Sequence, residues 1–272
     1  MADVYLGSTD LADKTFKMGS SDVSALYLGS TEVWAAPAGP TWVTDGLVQY
    51  LDPFTSTISG TSVDSTISDL SGNGNTGIIK GQSLTTDATD GFQLNPSSGA
   101  ILGGLTGVSW TNGLTFEAFI RVNAVDNTQV TISSYVDPGD FRPVVFMQKT
   151  GTAENHRLNC WIRTTADLEN KVDTNWPTSV WEHWVATYDP ASGQSKVYKN
   201  GVLQNTASGT ISTPDSGYNV VHGGPQGWTG TDFRDTRYWV DADGGLFRTY
   251  NKVLDSTEVT QNWNANKADY GL

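Results

Sequence analysis

The chain has 272 residues, with 29 acidic against 16 basic side chains and a formal net charge of −13. Hydrophobic residues make up 37%, aromatic residues 11% and charged residues only 17%, which excludes an intrinsically disordered chain. The acidic excess argues against nucleic acid and against anionic membrane surfaces as partners, because both require a surplus of Lys and Arg. At this length, one large all-β domain or two smaller domains are expected.

The sequence shows no targeting signal. Residues 1–8 have neither the basic nor the apolar region of a secretory signal peptide, and apolar runs such as residues 144–147 are too short to span a bilayer. Cys160 is the single cysteine, which excludes an intrachain disulfide and a four-cysteine zinc site. We therefore expect a protein that is made in the cytosol and that leaves the cell by lysis if it works outside.

The first 34 residues contain a short repeat. Residues 4–11 recur in similar form at 16–23 and 26–34, and each copy predicts a short strand, a Gly-Ser turn and a second short strand. An isolated hairpin is marginally stable in water, so we expect this arm to become ordered against a partner; the alternative is a flexible leader. The residues predicted to make the attachment are Tyr5, Leu6, Gly7, Phe16, Met18, Gly19, Tyr27, Leu28 and Gly29.

A change of composition separates this arm from the rest of the chain. Residues 35–40 read Ala-Ala-Pro-Ala-Gly-Pro, which is typical of a linker. We predict an attachment and oligomerisation arm at 1–36, a linker at 37–40 and a single domain at 41–272.

The predicted domain consists of short β-strands divided by turns. Residues 114–122 alternate as a half-buried strand does, and residues 181–188 form an aromatic-rich strand. Asn200-Gly201 lies between two strand segments, the pattern of a type I′ hairpin. One helix is predicted to begin at residues 255–258 with a capping-box-like pattern. These elements predict an all-β sandwich or jelly roll of two antiparallel sheets with one short helix near its end.

Four stretches, in order, resemble the superfamily of laminin-G-like, concanavalin A-like jelly rolls. Together they cover about residues 41–272, and the resemblance implies two stacked antiparallel sheets. The stretches are GLVQYLD at 46–52, DLSGNGNTG at 69–77, WEHWVATYD at 181–189 followed by VYKNGVL at 197–203, and FRTYNKVLD at 247–255.

Large aromatic side chains are expected to fill the space of roughly 10 Å between the two sheets. We predict that Trp181 and Tyr188 do so, rather than serving as ligand platforms. The resemblance implies that His183 is a structural strand histidine, not a catalytic or metal-binding one.

The repeat carries a second resemblance. Tandem Tyr-Leu-Gly-Ser-Thr units ahead of a laminin-G-like domain are similar to the leaders of tailed-phage virion proteins. A product without an export signal or cysteine pairs fits a phage protein that is released by lysis.

Enzymatic chemistry is not predicted. Glycosidases that resemble this fold carry carboxylates alternating along one strand, because two carboxyl groups must flank the glycosidic bond. None of the six glutamates stands in such a pattern, and the sequence has no nucleophile elbow, zinc-protease motif or phosphate-binding loop. We predict no catalytic residues and no required cofactor.

Calcium is the one metal that the sequence suggests, because Asp and Asn supply the oxygen ligands that it prefers. The candidate ligands are Asp69, Asn73, Asn75 and Asp243. The alternative is that Asn and Gly occupy the 69–77 loop because its turn needs positive φ. Gly245-Leu246 stands where relatives often carry an Asp-Glu pair, which favours the alternative.

A ligand-binding patch is predicted between residues 218 and 245, where aromatic and arginine side chains alternate with glycines. Such side chains stack on sugar faces and bond hydroxyl groups, but they are also typical of subunit interfaces. Sugar binding, a subunit contact and simple loop packing are all open at this point. The candidate residues are Tyr218, Trp228, Arg237, Tyr238 and Trp239.

Taken together, these features predict a non-enzymatic bacteriophage virion protein, made in the host cytoplasm, that forms a capsid decoration or a tail appendage. Its predicted partners are other virion proteins, further copies of itself and a cell-surface glycan, without nucleic acid or membrane insertion. The alternatives are a secreted carbohydrate-binding lectin and, less favoured, a polysaccharide-active enzyme.

Overall fold

The structure is a computed structural model, and it divides the chain into two compact units, Met1–Thr41 and Trp42–Leu272. It describes residues 5–6, 9–10, 17–18, 21–22, 25–28, 31–35, 41–94, 99–105, 110–123, 130–136, 143–152, 155–162, 168–173, 179–209, 219–224 and 242–272. The predicted linker at 37–40 lies outside these residues.

The first unit contains one antiparallel hairpin for each copy of the repeat. The strand pairs are β1 with β2, β3 with β4, and β5 with β6. The two short strands predicted for each copy are therefore confirmed, and the Gly-Ser turns between them lie outside the described residues. The strands are β1 (Tyr5–Leu6), β2 (Thr9–Asp10), β3 (Lys17–Met18), β4 (Ser21–Asp22), β5 (Ala25–Leu28) and β6 (Thr31–Ala35).

The described residues of the second unit form two eight-stranded sheets. The front sheet has the order β10-β11-β22-β13-β18-β19-β20, with β7 also paired to β22, and the back sheet has the order β17-β16-β15-β14-β21-β12-β9-β8. The strands are β7 (Leu47–Leu51), β8 (Thr66–Ile67), β9 (Gly77–Lys80), β10 (Thr85–Asp87), β11 (Gly91–Leu94), β12 (Ala100–Gly103), β13 (Leu114–Val122), β14 (Val130–Val136), β15 (Pro143–Thr152), β16 (Asn155–Ile162), β17 (Leu168–Asp173), β18 (Trp181–Asp189), β19 (Gln194–Lys199), β20 (Val202–Ser208), β21 (Asn219–His222) and β22 (Ala242–Tyr250).

All the strand pairings in these two sheets are antiparallel, as in the predicted jelly roll. The two-residue loop between β19 and β20 has positive φ at both Asn200 (50°) and Gly201 (78°), which confirms the type I′ hairpin.

One helix, α1 (Ser256–Asn266), follows the closing strand and begins where the sequence predicts. The Asp255 side chain accepts from the Thr257 and Glu258 backbone N–H groups, and the Glu258 side chain accepts from the Asp255 N–H, which completes the capping box. A 3₁₀ turn, Lys267–Tyr270, continues it. Among the described residues no helix meets the length and hydropathy of a membrane span.

The main core lies between the two sheets, and a second apolar cluster lies between the front sheet and α1. Phe116 and Trp184 belong to the first cluster, whereas Phe119 packs with Val259 of the helix in the second. The prediction of a half-buried strand at 114–122 is therefore wrong, since α1 covers the outer face and only Arg121 of β13 is partly exposed.

The strand that carries Trp181 and Tyr188 corrects another prediction. Tyr188 points into the space between the sheets, as expected, but Trp181 packs against the second cluster, on the outer face. The two residues are seven positions apart, and side chains an odd number of positions apart lie on opposite faces of a strand. Trp184 fills the core instead.

Candidate functional site

A cleft with a volume of about 520 Å³ opens at one end of the front sheet. Three segments form it: the loop after β7, the turn between β10 and β11, and the end of the chain from α1 into the 3₁₀ turn. The cleft is lined by Asp52, Phe54, Thr55, Ala88, Thr89, Asn266, Asp269 and Tyr270.

Tyr270 forms a fixed aromatic wall of this cleft. Its ring stacks on Phe119, with 4.2 Å between the ring centroids, and meets Trp181 edge-on at 4.9 Å. Its hydroxyl oxygen accepts a 2.8 Å hydrogen bond from the Leu246 N–H. A Cβ atom at Gly245 would lie 2.4 Å from the ring, so a glycine at this position is what allows the tyrosine to sit here.

Asp52 supplies a carboxylate that is only 7% exposed. One oxygen accepts from the Phe54 N–H at 2.9 Å and the other from the Tyr50 hydroxyl at 3.0 Å. Burial raises the pKa of Tyr50 to about 12, with Asp52 adding to the effect and Arg248 opposing it. The tyrosine is therefore a protonated donor at neutral pH, and the carboxylate is held in one orientation.

Asn266 supplies a hydrogen-bond donor whose direction is chemically determined. Arg248 Nη2 donates to Asn266 Oδ1 at 3.0 Å. Because a guanidinium group has no acceptor, the amide oxygen must face Arg248 and the NH₂ group must face the other way, toward the cleft that Asn266 lines. Among the described residues this NH₂ group has no hydrogen-bond acceptor.

Arg248 is itself held by a buried polar cluster under α1. Its Nη1 lies 3.4 Å from Glu117 Oε1, and both side chains have no exposed surface. Glu117 also accepts from Asn262 Nδ2 at 2.8 Å and lies 2.9 Å from His183 Nε2. His183 is thus fully buried with its Nε2 against Glu117, and its structural role stays a prediction. None of these groups reaches the cleft surface, and their effect is to position Arg248.

The rim beyond the cleft carries an arginine between two carboxylates. Arg121 donates to Asp243 Oδ2 from Nε at 2.9 Å and from Nη2 at 2.7 Å, and it also pairs with Asp90. Its guanidinium lies 5.1 Å from the centre of the Trp181 ring. Asp243, predicted as a calcium ligand, is therefore neutralised by an arginine.

The other predicted calcium ligands come together in the 69–77 loop. The Asp69 carboxylate accepts four hydrogen bonds, from the N–H groups of Tyr50, Ser71 and Asn75 and from the Ser71 hydroxyl. The side-chain NH₂ groups of Asn73 and Asn75 donate to Leu47 and Val48 carbonyls. These hydrogen bonds hold the turn and engage both oxygens of the Asp69 carboxylate.

Asp243 lies away from this loop. Asp69 accepts a hydrogen bond from the N–H of Tyr50, which lies opposite Arg248 in the pairing of β7 with β22. Asp243 is five residues before Arg248 on β22, so it lies further along that strand. The described residues contain no group of three or more His, Cys, Asp or Glu side chains that would hold a metal ion. The calcium site and the alternative of a turn held by its own residues both stay predictions, and the melting temperature in millimolar calcium distinguishes them.

The predicted aromatic patch lies outside the described residues. This holds for Tyr218, Trp228, Arg237, Tyr238 and Trp239, and in the arm for Gly7, Phe16, Gly19 and Gly29. The other predicted arm residues lie on hairpin strands: Tyr5, Leu6, Met18, Tyr27 and Leu28.

The cleft was not predicted from the sequence. Its parts come from both ends of the second unit, and the only local signals were an aspartate at the end of β7 and an aromatic residue after the helix.

The sandwich with a covered front sheet defines a jelly roll of the lectin and glucanase type. The model of one family, Laminin_G_3 of the concanavalin A-like lectin/glucanases superfamily, matches residues 86–260. The chain therefore belongs to this family. Among curated proteins, no sequence matches the chain.

Solved structures share the fold at low sequence identity. The binding domain of Paraclostridial Mosquitocidal Protein 1 is 16% identical, with a TM-score of 0.56 over 82% of this chain and 52% of that one. The botulinum neurotoxin type G receptor binding domain is 14% identical, with a TM-score of 0.56 over 81% and 51%. This chain thus spans about half the length of these toxin domains.

A third structure matches over almost its whole length. Domain 4 of AbnA, an extracellular GH43 arabinanase from Geobacillus stearothermophilus that was solved with arabinotriose, is 16% identical, with a TM-score of 0.52 over 79% of this chain and 97% of that domain. At these identities the likeness concerns the fold.

Proposed function

We propose that the second unit is a non-enzymatic glycan-binding lobe that holds a sugar in the cleft between Asp52 and Asn266. The observation that carries this proposal is the Asn266 amide, which Arg248 fixes with its NH₂ group toward the cleft. A rigid donor beside a rigid carboxylate acceptor suits the hydroxyl groups of a sugar, and the Phe54 and Tyr270 rings offer apolar surface for its C–H face.

Binding without catalysis is supported by the comparisons and by the sequence. The matching structures include a toxin receptor-binding domain and domain 4 of an arabinanase, which was solved with arabinotriose. The alternating carboxylates that the sequence analysis associates with glycosidases of this fold are absent from the chain.

Glycan-array binding of the full-length protein tests this proposal, with Phe54→Ala as the main variant. Phe54 is 39% exposed, so its removal leaves the core intact, and we expect lost glycan binding with an unchanged melting temperature. Val202→Ala is the matched control, because Val202 is 61% exposed on β20, away from the cleft. A protein that binds no glycan, or that releases reducing sugar, would overturn the proposal.

We also propose that the arm attaches this lobe to a bacteriophage virion, as a capsid decoration or a tail appendage, and brings copies of the chain together. Support comes from the three hairpins of the first unit, whose short strands suit strand addition to a partner, and from the resemblance of the repeat to phage leaders. In the host, the protein would be made in the cytoplasm.

Deletion of residues 1–36 tests the attachment. We expect the truncated protein to fold and bind glycan but to be missing from purified particles. Incorporation without the arm would contradict the proposal, and full-length protein found in the medium but absent from particles would favour the secreted lectin.

A further inference from the structure

The described side chains that line the cleft include two carboxylates and no basic group. Asp52 and Asp269 line the cleft, and neither forms an ion pair with any cation in the described part of the chain. The two donors that hold the buried Asp52 carboxylate, a backbone N–H and a tyrosine hydroxyl, are both uncharged. A buried carboxylate without a cation is costly, so a ligand that brings a positive charge gains more here than at the surface.

Three basic side chains in the described part of the chain lie on the elements around the cleft, and each has other partners. Arg248 lies behind the Asn266 amide and is paired with Glu117. Arg121 is shared between Asp90 and Asp243. Lys267 donates to Asn264 and lies 5.9 Å from the Trp263 ring centre. None of these three side chains therefore forms an ion pair with Asp52 or Asp269.

Aromatic rings complete the environment of an ammonium group. The Phe54 ring is partly exposed and lies 6.2 Å from the Tyr270 ring, tilted by 57°. Ring faces attract cations, most strongly where water is displaced. Carboxylates and aromatic rings around one cleft, without a cation of the protein's own in its lining, form a site for a protonated amine.

We propose that the cleft selects sugars that carry a free amino group, and that it rejects anionic sugars. This inference rests on the proposed glycan-binding function of the same site and names its ligand class. The ammonium group lies between Asp52 and Asp269, while the Asn266 NH₂ donates to a neighbouring ring or hydroxyl oxygen.

Calorimetry with two matched oligosaccharides tests the inference. Glucosamine oligomers and N-acetylglucosamine oligomers of equal length differ only in the charge and acylation of the nitrogen, and at about pH 6 the amine is protonated. We expect the glucosamine oligomers to bind roughly tenfold more tightly, with the advantage declining as salt is raised. Sialyllactose is expected not to bind.

Two variants assign the preference to the cleft. Asp269→Asn changes an exposed residue and is expected to weaken glucosamine binding about threefold. Asp52→Asn keeps an acceptor oxygen for the Phe54 N–H, and it is expected to weaken glucosamine binding more than Asp269→Asn does. Asp64→Asn is the matched control, since Asp64 pairs with Lys80 at a distant turn and asparagine tolerates its positive φ of 68°. This control is expected to bind as the parent protein does.

The outcomes separate this inference from the proposed function. Equal or tighter binding of the acetylated oligomers, or binding of sialyllactose, would overturn the amine preference while glycan binding itself stands. Unchanged glucosamine affinity in Asp269→Asn and Asp52→Asn would place the amine elsewhere and equally overturn it. Binding of no oligosaccharide at all would defeat the proposed function.

Discussion

Glu117 and Arg248 form an ion pair in which neither side chain has any exposed surface, with 3.4 Å between Oε1 and Nη1. Burial by itself would raise the pKa of Glu117, but the charge of Arg248 and hydrogen bonds from His183 and Asn262 outweigh burial, and the pKa lies below its ordinary value. The pair joins the middle of the front sheet to α1 and, through Asn266, to the cleft.

Glu117→Gln is expected to lower the free energy of unfolding by about 3–5 kcal/mol, because it leaves a buried guanidinium without its counter-charge. Urea denaturation measures the change. The double variant Glu117→Gln/Arg248→Met is expected to recover part of the loss. Asp64→Asn, which breaks an exposed pair with Lys80, serves as the control and is expected to cost less than about 1 kcal/mol. A similar cost for both single variants would contradict the role of the buried pair.

His222 predicts a loss of stability in mild acid. Its ring is fully buried, with Nδ1 2.9 Å from Ser133 Oγ and Nε2 3.2 Å from Gln49 Oε1, and burial lowers its pKa to about 3. Between this value and about 6.5 the unfolded chain binds the extra proton, so stability falls as the pH falls, by up to about 1.4 kcal/mol per pH unit.

Urea midpoints at about pH 7, 6 and 5 measure this slope, and His222→Gln is expected to flatten it. The range lies above the ordinary carboxylate pKa of about 4.3, so Glu117 contributes little there. The His222 ring resonances in NMR spectra are expected to stay constant across the same range; a titration midpoint near 6 would contradict the prediction.

Gly201→Ala is expected to destabilise the fold by about 1–3 kcal/mol for two reasons. The residue has a φ of 78°, and a Cβ atom would lie 2.8 Å from Cδ1 of Trp263 on α1. Gly72→Ala is the control, because Gly72 has a φ of 86° but no atom within 4 Å of the added carbon. Thermal denaturation compares the two, and equal losses would show that the contact with Trp263 contributes nothing.

Asp69→Ala is expected to cost about 2–4 kcal/mol, because it removes the acceptor for three N–H groups and one hydroxyl. Asp69→Asn keeps one acceptor oxygen and is expected to cost less. Melting curves of the parent protein with and without millimolar calcium belong to the same experiment. Because the carboxylate already accepts four hydrogen bonds, we expect calcium to leave the melting temperature unchanged. A rise in the melting temperature that Asp69→Ala abolishes would instead support a calcium site.

Local patterns in the sequence predicted local structure well. The hairpin at Asn200-Gly201 and the start of α1 at Asp255 depend on a few adjacent residues, and both are found as expected. The outward orientation of the Trp181 side chain could also be predicted from the sequence. Tyr188 points inward, and side chains seven positions apart lie on opposite faces of a strand.

The cleft depends on contacts that no local pattern carries. Asp52 follows the first strand of the jelly roll and Asn266 ends its helix, and long-range contacts such as the pairing of β7 with β22 bring the two segments together. The coverage of the outer face of β13 has the same origin, because a helix at the end of the chain buries a strand from its middle. The buried pair of Glu117 and Arg248 has the same origin, because its two members are 131 residues apart in the sequence.

β22 is paired to β13 along one side and to β7 and β11 along the other, and all nine of its residues are buried. A nascent chain therefore cannot close its lobe until residues 242–250 have left the ribosome. Until that moment the strands on either side present unpaired edges and apolar faces, which are the surfaces that chaperones bind. Synthesis and folding are thus separated in time: the lobe folds as a unit only after residues 242–250 have emerged.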